Sequence, residues 1–186
     1  MKKALFSLGL VATLFIGSAN RTMAQSYMHS FGGSYMYAIY DGNVNGIVAG
    51  TYVPRLNVAE LSDASSIGIV APTSLAISLN SRVGGSLAFE VMPGAQLSLG
   101  HASTQDADGG FGGYFGAGFG FNSIRQDYVG PIIAGSVATT TKGPYVSGGF
   151  RFPYRGQYSA TAGAYFLVGG NDINVFGLRI LLNIGM

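Results

Sequence analysis

The chain has 186 residues with 30 glycines, no cysteine, aromatics at 12% and charged side chains at only 10%. So many aromatics with so little charge exclude a disordered chain, and the lack of cysteine excludes disulfides and acylation of an N-terminal cysteine. Removing Lys2, Lys3 and Arg21 from the 10 basic residues leaves 7 against 8 acidic ones, so the positive formal charge belongs to the leader and nothing supports nucleic-acid binding.

Met1 to Ala24 reads as a cleaved secretory signal: Lys2 and Lys3, an apolar run from Ala4 to Ile16, then small and polar residues ending Thr22-Met23-Ala24. Mature protein is expected to begin at Gln25, with a cut after Ala19 as the alternative. The apolar run is too short to cross a bilayer as a helix, and no later stretch is long enough, so no transmembrane helix is expected. Residues 25–186 suit a single domain.

From there on the apolar residues recur with a period of two, the mark of strands. The first predicted strand sets Phe31, Gly33, Tyr35, Tyr37 and Ile39 against Gly32, Ser34, Met36 and Ala38, and Asp41-Gly42-Asn43 signals a tight hairpin. The second, about Val44 to Leu56, sets Val48, Tyr52 and Leu56 against Asn45, Thr51 and Arg55, with Ile47 and Val53 on the polar side. After a polar turn near Glu60 to Ser65, the third alternates from Ser66 to Leu79 and the fourth from Leu87 to Leu99. In the fourth, Pro93-Gly94 is expected to be a bulge or kink within one strand, because a proline in mid-ladder forfeits a hydrogen bond.

The fifth strand, Phe111 to Phe121, opposes Phe111, Phe115, Phe119 and Phe121 to Gly112, Tyr114, Gly116, Gly118 and Gly120; its glycines fit no GxGxxG register, and no helix follows. The sixth runs from about Pro144 to Tyr154 and the seventh from Tyr158 to Val168. The eighth is the longest clean alternation: Phe176, Leu178, Ile180, Leu182, Ile184 and Met186 against Gly177, Arg179, Leu181, Asn183 and Gly185. Its eleven residues match the roughly 9 to 11 that a tilted strand needs to cross a hydrocarbon core.

The expected architecture is all-β, a closed eight-stranded antiparallel up-and-down transmembrane barrel. In lipid an open sheet edge would leave backbone groups without partners at several kcal/mol each, so the sheet must close. The apolar sets would face lipid, and the interior of eight strands is just wide enough for side chains to fill, which argues against an open pore. In this pattern and in the C-terminal strand the chain resembles the small eight-stranded outer-membrane barrels of the OmpA/OmpX-like group, the outer-membrane β-barrel domain family of diderm bacteria. That resemblance implies an outer-membrane location, assembly by the barrel-assembly machinery and periplasmic chaperones, and a last strand that the machinery reads. Phe176, Leu178, Ile180, Leu182 and Ile184 match the family signal, with Met186 where the family has an aromatic. The chain ends with this strand, so a peptidoglycan-binding domain of the OmpA type is not expected.

Four charges fall on the inward set, Arg55, Glu90, Arg151 and Arg179, and a carboxylate held among guanidiniums is expected, with Gln96, Asn183 and tyrosine hydroxyls completing its hydrogen bonds. With a periplasmic amino end, the long connection 122–143, carrying Arg125, Asp127, Tyr128, Ile132, Ile133 and Thr139 to Thr141, is the candidate partner loop. No cofactor, metal or enzymatic site is expected. His29 and His101 assemble no triad or zinc spacing, and Asp106-Ala107-Asp108-Gly109 is a fragment of a calcium loop without its distal glutamate. A monomer in outer-membrane lipid is the leading expectation. The alternative is a soluble secreted calyx with the apolar sets turned inward around a small apolar ligand.

Overall fold

A computed structural model describes residues 27–40, 43–80, 84–104, 106–107, 110–129, 134–154, 158–170 and 173–184. The expected signal segment, Asp41 and Gly42 of the expected hairpin turn, Asp108, Gly109, Ile132, Ile133 and Met186 lie outside the described residues. All regular structure is β: β1 Tyr27–Tyr40, β2 Asn43–Ser62, β3 Ser65–Val70, β4 Thr73–Asn80, β5 Gly84–Val91, β6 Gly94–Gly100, β7 Gly112–Val129, β8 Ala134–Tyr154, β9 Tyr158–Leu167 and β10 Asn174–Ile184.

Every pairing is antiparallel, and β1 pairs with both β2 and β10, from His29 opposite Ile184 to Ile39 opposite Asn174 on one side and from Tyr27 opposite Leu56 to Tyr40 opposite Asn43 on the other. The sheet is therefore closed. It is a ring of eight strands, because β3 with β4 and β5 with β6 are each one ring strand interrupted at a proline. β3 and β4 both pair with β2, and β5 and β6 both pair with β7.

The kink expected at Pro93-Gly94 is the second of these interruptions. The first, at Ala71-Pro72, corrects the expectation of an unbroken third strand. Proline has no N–H to give the ladder, but its carbonyl still accepts. Pro54 receives Ala71 N–H at 3.3 Å, Pro72 receives Met92 N–H at 2.8 Å and Pro93 receives Phe119 N–H at 3.1 Å. Backbone hydrogen bonding thus continues around the ring through both breaks.

Over most of the described strand positions burial follows the period of two, with the expected parity, and departs from it at Gly32 and near the ends of β2 and β8. Phe111, Phe115, Phe150 and Ile180 are 60 to 80% exposed on the outer wall. The inner wall carries small and polar residues, and its glycines have a steric reason. A Cβ on Gly163 or Gly149 would strike the Tyr114 ring, one on Gly177 the Tyr165 ring, and one on Gly120 the side chains of Leu167 and Met92. Tyr114 and Tyr165 thus each lie over inward positions that carry no side chain. Outward aromatics cluster at the end where β1 begins and β10 ends: His29, Phe31 and Tyr52 stack, Tyr27 meets His29 edge to face, and His29 Nδ1 lies 2.7 Å from the Tyr52 hydroxyl. Tyr35, Tyr37 and Phe176 form a second group towards the opposite end.

Three strand limits differ from expectation. β2 runs on from the expected end at Leu56 to Ser62, with register shifts between Asn57 and Ala59 and between Glu60 and Ser62, which narrows the polar turn expected near Glu60 to Ser65 to Asp63-Ala64. The connection expected over 122–143 is mostly ladder: β7 continues to Val129 and β8 begins at Ala134, paired from Asn122 opposite Thr141 to Val129 opposite Ala134. Past Phe121 the outward positions turn polar or small: Ser123 is half-buried, while Arg125, Ala138, Thr140 and Lys142 are exposed. The apolar parity that marks the rest of the wall ends there while the hairpin continues.

Candidate functional site

The four inward charges are all buried, with Arg55 1%, Glu90 0%, Arg151 2% and Arg179 5% exposed. They do not form the single expected cluster. The ring places β10 four strands from the β5/β6 strand, and β8 likewise four from β2, so each of two pairs faces across the lumen.

The first pair is Glu90 and Arg179. Arg179 Nη2 donates to Glu90 Oε1 at 2.9 Å, and the guanidinium lies 4.0 Å from the Tyr165 ring centroid. Glu90 Oε2 accepts from Tyr165 Oη at 2.9 Å and Asn122 Nδ2 at 3.2 Å, and Oε1 from Ser74 Oγ at 3.4 Å. From Ser74 a chain of hydroxyls runs to Thr51 at 3.0 Å and on to Ser34 at 2.7 Å, linking four neighbouring ring strands. A buried carboxylate survives only when paired and hydrogen-bonded, and Glu90 is both. Of the expected partners a tyrosine hydroxyl is present. Gln96 and Asn183 bond elsewhere, Gln96 Nε2 to Ser98 Oγ at 3.0 Å and Asn183 Nδ2 to Ser159 and Thr161 at 2.7 and 2.8 Å.

Arg55 and Arg151 make a different centre towards the end where β1 begins and β10 ends. Arg55 donates to Ala102 O at 2.7 Å and Ser98 Oγ at 3.1 Å; Arg151 donates to the same two oxygens at 3.1 and 3.3 Å and lies 5.3 Å from the Tyr114 ring centroid. The carbonyl comes from the segment after β6, which folds into the barrel mouth, with Ala102, Ser103 and Thr104 buried. Ala102 adopts φ 57°, the left-handed region that a residue with a Cβ rarely enters. Ser103 O accepts from Asn57 Nδ2 at 2.9 Å and Ser66 Oγ at 2.5 Å, and Thr104 Oγ1 donates to Asp63 O. Sequence reasoning singled out only Asp106 to Gly109 in this connection, as a fragment of a calcium loop. The signal for an inward segment was the length of the connection 102–110, since one set of turns in such barrels is ordinarily short.

The cavity between the centres measures about 30 Å³ and is lined by all three arginines with Gln96, Tyr114, Ser147, Thr161 and Asn183. Towards the opposite end the described inner wall is apolar, with Met36, Ala38, Ile47, Ala49, Ala76, Ala88, Ile124, Leu167 and Val175 buried in one cluster. A drug-sized ligand needs roughly 300 Å³ or more, so the space does not suit a calyx, and the apolar sets face outward in place of inward.

The remaining candidates are dispersed. Phe176, Leu178, Ile180, Leu182 and Ile184 share the outer face of β10. Arg125, Asp127 and Tyr128 are ladder residues of β7, opposite Ala138, Ser136 and Gly135, which corrects their placement in a loop. His101 sits at the barrel mouth with neither ring nitrogen hydrogen-bonded, Asp106 is exposed, and among the described residues no three acidic or histidine side chains could hold a metal.

No protein-family model and no curated protein matches the chain. Among solved structures it is similar to Ail, the attachment invasion locus protein of Yersinia pestis, with TM-score 0.62 and 12% identity over 88% of this chain and 98% of that one. The structure of Ail with the heparin analogue sucrose octasulfate gives TM-score 0.61 at 13% identity over the same shares. Neisserial surface protein A gives 0.57 at 13% identity, over 87% of this chain and 97% of that one. These are small outer-membrane barrels of eight strands, and the chain has their fold.

Proposed function

We propose that the chain is an integral outer-membrane protein with a filled interior, serving a structural or surface-interaction role and forming no diffusion pore. The observation that carries this reading is the outer wall. Its apolar, aromatic-rimmed band is continuous around a ring that has no free edge at that level, the surface that lipid requires and water penalises. The filled interior is supported by the apolar layer at one end and the inward segment around Ala102 at the other.

The likeness to Ail and Neisserial surface protein A supports the outer membrane as the location. With a cleaved signal the amino end is periplasmic, so the inward segment faces the periplasm and the β7–β8 hairpin projects outside the cell. That hairpin extends past the apolar band with Arg125 and Lys142 exposed, and it is the proposed contact surface for a partner. The apolar face of β10 is the segment proposed to engage periplasmic chaperones and the assembly machinery. The functional unit is a monomer that needs no cofactor and catalyses no reaction.

The test is fractionation of cells expressing the full chain, with boiled and unboiled gels and single-channel recording of the purified protein. The expected result is carbonate-resistant outer-membrane protein whose mobility changes on boiling and which shows no steady conductance. Soluble periplasmic protein would overturn the membrane reading, and a stable conductance would overturn the filled interior.

A further inference from the structure

The β7–β8 hairpin carries an open strand edge. β8 is laddered to β7 from Ala134 onwards, but its ladder with β9 begins only at Tyr145, opposite Leu167. Among the described residues no strand pairs with the β9 side of 134–143. Val168 N–H donates to Pro144 O at 3.0 Å, so Pro144 turns its carbonyl to that side. Backbone polar groups alternate in direction along an antiparallel strand, so the N–H and C=O of Ser136, Ala138 and Thr140 point the same way, away from β7. Strand edges in water are ordinarily blunted by charges, prolines or bulges. Residues 134–141 read AGSVATTT, without charge or proline, and their register with β7 has no bulge. Lys142 and Pro144 come only where the strand rejoins the ring. Val137 and the three threonines favour extended backbone.

We propose that this edge binds an extended peptide segment of an extracellular protein, which joins the sheet as one further strand beside β8. The inference rests on the reading of the hairpin as the contact surface outside the cell, and it names the partner's chemistry. Main-chain hydrogen bonds supply the affinity. Ala138 and Thr140 are exposed and small, so they leave room for the side chains of an added strand and select weakly among them. The exposed Lys142 favours an acidic residue at the peptide end that lies nearest the membrane. A second copy of the chain fits less well. Two copies in one membrane stand the same way up, so their β8 edges could meet only in parallel, the less stable pairing.

The experiment uses the detergent-purified full chain and a synthetic peptide of about six residues, alternating threonine and valine with a glutamate at one end. The peptide is N-methylated on alternate residues along one edge, so that it cannot stack on itself. With the peptide at about ten times its dissociation constant, amide exchange should slow about tenfold at Ser136, Ala138 and Thr140. It should stay unchanged at Val137, Thr139 and Thr141, whose amides face β7. Thr140→Pro removes a donor from the open side alone; it should keep the gel shift on boiling and bind the peptide several-fold more weakly. A peptide methylated along both edges should not bind. Failure of the singly methylated peptide to bind, or equal slowing of both sets of amides, overturns the proposal. So does protection of the same three amides without peptide in a protein that has dimerised, which gives the edge to a second copy. If Thr140→Pro does not fold, exchange in the unaltered protein decides. Labelling of Ala138→Cys on intact cells with a membrane-impermeant maleimide separates the two readings, because the chain has no other cysteine. Absence of labelling overturns the outside location and with it an extracellular partner, whereas labelling without peptide protection overturns the edge alone.

Discussion

The two polar centres in the lumen solve the same problem differently. Around Glu90 a cation and a carboxylate face one another across the barrel, and side chains from neighbouring strands complete the carboxylate's shell. Around Arg55 and Arg151 two like charges face one another, and what they share is the Ser98 hydroxyl and a backbone carbonyl delivered by a connecting segment. The first centre is made by the wall alone. The second depends on a loop, so it can be loosened without opening the wall.

This contrast orders the expected effects of substitution. Glu90→Ala leaves Arg179 buried without its counter-charge and should cost about 3–5 kcal/mol, read as a lowered denaturant midpoint for the heat-modifiable form. Glu90→Gln with Arg179→Met should recover much of that loss, because no buried charge is orphaned. Arg151→Met should cost less, about 1–3 kcal/mol, since it also relieves repulsion with Arg55 and Ala102 O keeps its bond from Arg55. A loss at Arg151 as large as that at Glu90 would break the distinction.

Gly163→Leu tests the wall itself. Its side chain would displace the Tyr114 ring that lies beside Arg151, and overpacking of this kind costs about 1–3 kcal/mol. Ser66→Ala removes one of the two side-chain bonds to Ser103 O. It should cost about 1 kcal/mol and should speed amide exchange at Ser103 and Thr104 while the β1–β10 ladder stays protected. Uniform acceleration across both regions would mean that the inward segment is no separate unit.

The wall was legible in the sequence because alternation is local: the side chain on every second residue declares which face it belongs to, and Arg179 among Leu178, Ile180 and Leu182 could only point inward. Pro93 was legible as a kink for the same local reason. Which guanidinium meets Glu90 was not legible. Glu90 and Arg179 are 89 residues apart, and their meeting is set by the stagger of the whole ring. The hairpin beyond Phe121 was missed because the apolar criterion holds only at the depth of the band; Arg125 and Lys142 occupy outward ladder positions that look like loop in a search for alternating hydrocarbon. The role of Ala102 could not be read from its side chain, because it acts through its backbone oxygen.

The central claim is that the outer wall meets lipid and the inner wall does not. The chain contains no tryptophan, so a single one can report each face without background. Phe115→Trp on the outer wall and Tyr114→Trp on the inner wall would be compared after reconstitution into vesicles whose lipid acyl chains carry bromine. The account predicts strong quenching at position 115 and little at its neighbour 114. Equal quenching at both, or none at 115, would contradict it.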